Sequence, residues 1–180
     1  MKIGLVRHFE VDLPMKKRLS SSEFDELVKL YDLSKIRLGK STISRVKEWD
    51  KCYCSDLPRA VETAKHIFQG DIYITVLLRE VPLGSIINTN FKLSYVFWLT
   101  FGRLGWLFAH KSQPESKSET ETRVDKFISE IETQGNLNIL IVSHGFIMRL
   151  IKDKLRKRGF KGEGFTRAEH GKLYVFERNP

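Results

Sequence analysis

Hydrophobic residues along this chain fall into two patterns: short apolar runs, and longer segments in which they recur at helical spacing. Short apolar or β-branched runs are typical of strands buried in a sheet. They predict strands at 3–6, 51–55, 72–80, 136–144 and 171–178. The longer segments predict helices at 21–37, 42–49, 56–68, 121–133 and 145–158.

The order of these elements defines the fold class. Strands alternate with helices along most of the chain, which predicts an α/β sandwich around a mostly parallel sheet. Residues 81–120 are irregular in pattern and contain an apolar stretch followed by a polar connector. Because this connector is too short to separate two domains, we expect one domain over residues 1–180, with 81–120 as a cap or insert.

The apolar stretch at 95–109, YVFWLTFGRLGWLFA, is the one candidate for membrane contact. It is shorter than the roughly 20 residues that cross a bilayer, and Arg103 stands near its middle. We therefore expect no membrane span. An interfacial anchor, the contact face of a homodimer and a lid over a site remain open, with burial as a cap or dimer contact the default.

The net charge of +9 narrows the class of partner. Such an excess favours phosphate-bearing partners, whether nucleic acid, anionic membrane or a phosphorylated small molecule. The basic run at 149–161 fits a solvated helix face, or a field that draws phosphorylated substrates to a pocket. No nucleic-acid-binding motif or aromatic stacking pattern accompanies it, so we expect no nucleic acid partner.

Cys52 and Cys54 are the only cysteines. Without a second pair they exclude a zinc ribbon, and we expect two small buried residues of a reduced, cytoplasmic protein. The amino-terminal apolar run is too short for a secretory signal.

Polar side chains stand where four predicted strands end. In open α/β sheets, ligands bind beyond the carboxyl ends of the strands, so these side chains are expected to converge on one rim. An Arg-His pair fits such a place, since burial in the middle of a sheet would be costly. The residues are Arg7 with His8, Arg59 in the helix after Ser55, Glu80 beside Arg79, and His144 with Gly145.

The chemistry that fits these residues is phosphoryl transfer. Arg7 and Arg59 have planar guanidinium groups that grip phosphate oxygens. One histidine can be the nucleophile, and the other, if protonated, adds positive charge in the transition state. Amides at the start of the helix after Gly145 can join the anion site. Glu80 would protonate the leaving oxygen, with Glu10 as a rival acid.

Two other chemistries are disfavoured. Ile141 breaks the nucleophile elbow that Ser143 would need, and no acid is placed to complete a triad. The remaining histidines, His66, His110 and His170, are widely spaced, so we expect no metal site.

Five segments together resemble the histidine phosphatase superfamily, in the branch that includes the cofactor-dependent phosphoglycerate mutases. LVRHFE is similar to the family's Arg-His-Gly-Glu motif, and CSDLPRAVETA to its Ser-x-x-x-Arg-Ala-x-x-Thr-Ala helix start. LLREVPLG resembles the acid-bearing segment, ETETRVDKF the helix before the last motif, and LIVSHG the second histidine motif. They occur in the family's order over residues 1–80 and 119–150.

The resemblance implies a phosphoglycerate-mutase-like three-layer sandwich without a metal or other cofactor. It implies that His8 is the nucleophile and that Arg7, Arg59 and His144 complete the phosphate pocket. Glu80 is then the proton donor.

Two positions depart from the family pattern. Phe9 stands where the family usually has glycine, which predicts a narrower pocket or an apolar wall for the substrate. The region of Trp98 and Trp106 is expected to add to that wall. Pro14 stands where the family has asparagine, which predicts the loss of one phosphate contact.

We therefore expect a histidine acid-type phosphatase that hydrolyses a phosphomonoester, on a small molecule or a protein, through a phosphohistidine. A mutase is one alternative, although the middle region is short for that activity. The other is an inactive phosphate-binding regulatory protein. Glu80 argues against the latter, because a binding protein needs no proton donor.

Overall fold

A six-stranded sheet forms the centre of the computed structural model, which describes residues 1–38 and 48–178. Its strands are β1 (Lys2–Arg7), β3 (Lys51–Ser55), β4 (Ile72–Thr75), β6 (Ile139–Ser143), β7 (Lys161–Gly162) and β8 (Leu173–Glu177). A separate pair consists of β2 (Arg18–Leu19) and β5 (Leu93–Ser94). The order in the main sheet is β4-β3-β6-β1-β8-β7, and the first four strands are parallel.

Helices cover both faces of this sheet. They are α1 (Ser21–Leu33), α2 (Pro58–Ile67), α3 (Tyr95–Leu107), α4 (Lys117–Glu132) and α5 (Ile147–Lys157). One core cluster joins α4 and α5 to one sheet face, and another joins α2 to the opposite face. β6 is apolar up to its last residue and buried throughout, as a strand covered on both sides must be. The predicted α/β sandwich with a mostly parallel sheet is confirmed.

Three predicted elements differ in extent because local hydrogen bonds override the periodicity. The helix predicted at 21–37 ends at Leu33, since the chain then pairs Ile36 with Val11. The strand predicted at 72–80 stops at Thr75, whose hydroxyl accepts from the Leu77 amide and starts a 3₁₀ turn. Helix α4 begins four residues before the predicted 121–133, at a capping box of Ser116 and Glu119. The apolar stretch at 95–109 forms α3, within the residues 81–120 whose pattern is irregular.

The other predicted elements agree to within a few residues. The helix predicted at 42–49 lies outside the described residues except at its last two positions, 48 and 49, which are not α-helical.

Helices α1 and α3 pack on each other through a third apolar cluster. Phe24 stacks on Trp98 with ring centroids 5.5 Å apart, and Leu19 and Leu27 complete the cluster. The Trp98 indole donates to the Leu19 carbonyl at 2.9 Å. In the described ranges, the longest apolar helix falls short of what a membrane crossing requires.

Cys52 and Cys54 are buried free thiols in the core between α2 and the sheet. Burial raises the pKa of Cys52 to about 12 and that of Cys54 to about 11. Both therefore remain protonated and unreactive at neutral pH.

Candidate active site

A cavity of about 820 Å³ opens beside the carboxyl ends of the parallel strands. Five of the six predicted site residues line it: Arg7, His8, Arg59, Glu80 and Gly145. The sixth, His144, is fully buried, with its ring centroid 5.1 Å from that of His8. The structure thus brings together the side chains that the sequence places at four separate strand ends.

A bend after β1 lets both Arg7 and His8 reach this cavity. Neighbouring residues on a regular strand point to opposite faces. Here the His8 amide donates to the Ser143 carbonyl, and the Gly171 amide donates to the Arg7 carbonyl, each at 2.9 Å. The His170 Nδ1 lies 2.7 Å from the His8 carbonyl and donates to it. These three bonds end the strand and hold both side chains on one rim.

His8 has one ring nitrogen engaged and the other available. Its Nδ1 lies 2.6 Å from the Phe9 carbonyl, which can only accept, so Nδ1 bears the proton and Nε2 has the lone pair. Burial, followed by the charge of Arg59, lowers the pKa of His8 well below its ordinary value. The neutral, nucleophilic form is therefore favoured at neutral pH.

His144 has the opposite tautomer. The Arg59 Nε donates to its Nδ1 at 3.2 Å, so the proton of the neutral ring is on Nε2. That nitrogen is buried and has no partner among the described residues. Burial and the charge of Arg59 also lower the pKa of His144 well below its ordinary value. In the free protein His144 therefore offers an N–H donor, not the positive charge that the sequence analysis considered for it.

The two arginines are held by different contacts. Arg59 is almost fully buried, and its Nη1 donates to the Asp32 carboxylate at 2.9 Å. Arg7 donates from Nη1 to the Ala168 carbonyl at 3.0 Å, and its buried Nε has no described partner. A Cβ on Gly145 would lie 3.1 Å from the Arg7 guanidinium carbon, so glycine allows this close approach.

The Glu80 carboxylate lies against the amino-terminal end of α5. The carboxylate accepts from the Phe146 and Ile147 amides and from the Val81 amide, each at 3.0 Å. The helix amides after Gly145 were expected to join the anion site, but two of them donate to Glu80 instead. This contact fixes the carboxylate at the cavity wall.

Several cavity residues were missed by the sequence analysis. Tyr31 and Asp32 come from α1, where the sequence signal was helical periodicity alone, and Asp32 pairs with Arg59 across 27 positions. The ring of His170 lies 5.2 Å from that of His8. Arg79, which was expected beside Glu80, also lines the cavity, and the further arginines of the lining are Arg103, Arg149 and Arg167. The net charge predicted phosphate-bearing partners but not where these arginines lie.

Phe9 does not form the substrate wall that its position suggested. It is 2% exposed and packs in the core between α2 and the sheet, while its amide donates to the Thr63 hydroxyl at 3.0 Å. Trp98 and Trp106 are also buried and do not line the cavity, although the Trp106 ring packs on that of Phe146, which does. The apolar walls come instead from other residues: Leu27, Val28, Leu83, Tyr95 and Leu99.

Two further positions lie away from the cavity lining. Pro14 and Glu10 are exposed, so Glu10 is not placed as a rival to Glu80. Within residues 1–38 and 48–178, no group of three or more histidine, cysteine or acidic side chains is arranged to hold a metal ion.

Acidification is expected to destabilise the fold through the two buried histidines. Both have native pKa values below the ordinary 6.5, so below that pH the unfolded chain binds more protons and the free energy of unfolding falls. This loss continues as the pH drops toward the native pKa values. Urea unfolding at about pH 7, 6 and 5 measures it, with His144→Gln as the comparison. An unchanged pH dependence in that variant would contradict the assignment.

Comparison with known proteins identifies the family. The model of the histidine phosphatase superfamily, branch 1, matches residues 3–178, and the chain belongs to that superfamily. The expected family is confirmed. A search of curated proteins finds no match.

Solved structures with the same fold include an α-ribazole phosphatase from Shigella flexneri. It is 20% identical, with 99% of this chain and 91% of that chain covered and a TM-score of 0.61. A mycobacterial glucosyl-3-phosphoglycerate phosphatase is 16% identical, covering 87% and 79% of the two chains, with a TM-score of 0.54. A phosphoserine phosphatase from Entamoeba histolytica is 16% identical, covering 87% and 80%, with a TM-score of 0.52.

Proposed function

We propose that this protein is a metal-independent phosphatase that hydrolyses a phosphomonoester through a phosphohistidine at His8. The observation that supports it most is the pair of tautomers: a free Nε2 lone pair on His8 and an unpartnered Nε2–H donor on His144. A nucleophile and a donor for phosphoryl oxygens thus lie on neighbouring rings. Arg7 and Arg59 supply positive charge at the same place. The structures with the same fold are named as phosphatases.

The first step transfers the phosphoryl group to the protein. The His8 Nε2 lone pair forms a P–N bond as the P–O bond to the alcohol breaks, and the leaving oxygen takes a proton from Glu80. The equatorial phosphoryl oxygens gain negative charge in the transition state. Arg7, Arg59 and the His144 Nε2–H stabilise that charge.

The second step regenerates the protein. A water molecule loses a proton to the Glu80 carboxylate and forms a P–O bond as the P–N bond to His8 breaks. Inorganic phosphate leaves, and Glu80 is again protonated for the next turnover.

The cavity supports a small-molecule substrate over a protein-bound phosphate. Helices α1 and α3 both contribute lining residues: Leu27, Val28, Tyr31 and Asp32 from α1, and Tyr95, Leu99 and Arg103 from α3. We infer that α3 acts as the cap over the site. The cavity volume of about 820 Å³ lies within the range of small-molecule sites, about 300–1,000 Å³.

Hydrolysis of an aryl phosphate with a metal chelator present tests the proposed function. The expected result is turnover that the chelator does not reduce. A well-folded protein without turnover on any phosphomonoester over a broad pH range would contradict the phosphatase assignment and favour the phosphate-binding alternative.

Glu80→Gln is expected to slow hydrolysis in a way that depends on the leaving group. The comparison uses kcat/KM, which reports the first step and not the hydrolysis of the phosphohistidine that both substrates share. For an alkyl phosphate, whose alkoxide needs a proton, kcat/KM should fall by about 10²- to 10³-fold. For 4-nitrophenyl phosphate the fall should be smaller, because nitrophenolate leaves without protonation. Steady-state rates on both substrates measure the difference, with exposed Glu26→Gln on α1 as the control. Equal losses on the two substrates would contradict the proton-donor role.

A further inference from the structure

The cavity holds more positive charge than one phosphoryl group balances. Its lining contains six arginines and only two acids, Asp32 and Glu80. Asp32 and Asp56 each neutralise one arginine, and Glu80 is protonated in its proposed role. A phosphomonoester brings about two negative charges at neutral pH, so about two positive charges remain without a counter-charge. The six are Arg7, Arg59, Arg79, Arg103, Arg149 and Arg167.

These arginines divide into those with partners at the site and those without. Arg59 pairs with Asp32, and Arg79 pairs with Asp56. Arg7 takes part in the phosphate pocket. Arg103, Arg149 and Arg167 form no ion pair with any acidic side chain in the part of the chain that the structure describes, and of these three only Arg103 and Arg149 lie over an aromatic ring there.

Arg103 and Arg149 flank one aromatic ring. The Arg103 guanidinium carbon lies 3.8 Å from the centroid of the Phe146 ring, and that of Arg149 lies 5.8 Å from it. Arg103 donates from Nη1 to the Val81 carbonyl at 3.2 Å. A guanidinium has five N–H donors, so most of those on Arg103 remain for a ligand. Burial lowers the pKa of Arg103, and the nearby charge of Glu80 opposes that shift.

Arg103 and Arg149 lie on the side of the cavity where the leaving group is expected. Phe146, which stacks under Arg103, donates its amide to Glu80. Val81, which accepts from Arg103, directly follows Glu80. If Glu80 protonates the leaving oxygen, the alcohol part of the substrate lies on this side of the cavity.

We propose that the alcohol part of the substrate has a second anionic group, a carboxylate or a phosphate, that Arg103 and Arg149 bind. This proposal rests on the proposed function. Residues Arg103, Phe146 and Arg149 form what we call the second anion subsite. The apolar side chains of Leu83 and Leu99 line the same cavity and suit a carbon spacer between the two anionic groups.

Three phenyl phosphates that differ only in the para substituent test this proposal. The substituents are a carboxylate, a neutral carboxamide of similar shape, and a second phosphate. We expect kcat/KM for at least one anionic substrate to exceed that for the carboxamide by about tenfold or more, mainly through KM. The carboxamide has the better leaving group, so chemistry alone would give the opposite order. Whichever anionic substrate is preferred identifies the group that the subsite takes.

Variants then separate ligand binding from a structural role. Arg103→Gln should reduce the preference for the anionic substrate to about threefold or less, and Arg103→Lys should restore part of it. Arg149→Gln, at an exposed position, should also reduce it and provides the test if Arg103→Gln fails to fold. Arg156→Gln, exposed on the same helix but outside the cavity, is the control and should keep the wild-type preference.

Two results would overturn the second anion subsite while the proposed function stands: hydrolysis of all three substrates with no preference for charge, or equal losses on charged and neutral substrates in the Arg103 and Arg149 variants. Failure of wild-type protein to hydrolyse any of the three would overturn the proposed function and the subsite with it.

Discussion

His8→Ala is expected to abolish phosphatase turnover, with a fall in kcat of about 10⁴-fold or more. The variant removes the only described ring nitrogen at the site that has both a free lone pair and cavity access. The Nδ1 of His144 accepts from Arg59 and its Nε2 is protonated, and His170 does not line the cavity. Steady-state rates on an aryl phosphate measure the effect.

The binding of inorganic phosphate separates the loss of chemistry from the loss of the pocket. Arg7, Arg59 and His144 remain in the His8→Ala variant, so phosphate should still bind, as calorimetry can show. His110→Ala, at an exposed histidine that contacts Ser112, is the matched control and should keep wild-type rates. Turnover by His8→Ala within tenfold of wild type would rule out His8 as the nucleophile.

Arg59→Met is expected to lower kcat/KM by about 10³-fold. Two losses combine in this variant. The phosphoryl group loses a guanidinium donor. His144 loses the hydrogen bond from the Arg59 Nε to its Nδ1, which fixes its tautomer, so the proton of the ring no longer has to be on Nε2. Methionine keeps much of the side-chain volume at this buried position, which limits the effect on packing.

Two comparisons test the reason for that loss. Arg123→Met removes another enclosed arginine, which pairs with Glu115 away from the cavity, and should cost stability without a comparable loss of activity. Asp32→Asn keeps Arg59 but weakens its anchor, so it should reduce kcat/KM less than Arg59→Met. If Arg59→Met and Arg123→Met lowered activity equally, the effect would be one of stability alone.

The sequence was sufficient to predict the sheet and the rim of the site. Strands such as β6 are continuous apolar runs that end in polar residues, and parallel strands place those ends at one edge. Arg7 and His8 could therefore be placed from a strand end and Arg59 from the helix that follows one, whereas Glu80 lies beyond the 3₁₀ turn that follows β4 and not at the strand end expected for it. Their common location depends on local pattern and topology, both of which the sequence displays.

The remaining site residues depend on contacts that periodicity does not reveal. Asp32 reaches Arg59 only because α1 packs beside α2, and His170 reaches His8 through a loop before β8. Arg103 reaches the cavity through contacts with two other segments, the Phe146 ring before α5 and the Val81 carbonyl after Glu80. The position of Phe9 beside His8 suggested a pocket wall. Its ring instead packs in the core between α2 and the sheet.

Direct detection of the phosphoenzyme tests the central proposal most directly. Wild-type protein mixed with an aryl phosphate in the presence of chelator should be quenched in alkali, because phosphohistidine is labile in acid. Mass spectrometry of the digested protein should then find one phosphoryl group on His8, and none in His8→Ala. A phosphoryl group on another residue, or turnover by wild type with no phosphorylated protein under single-turnover conditions, would contradict the account.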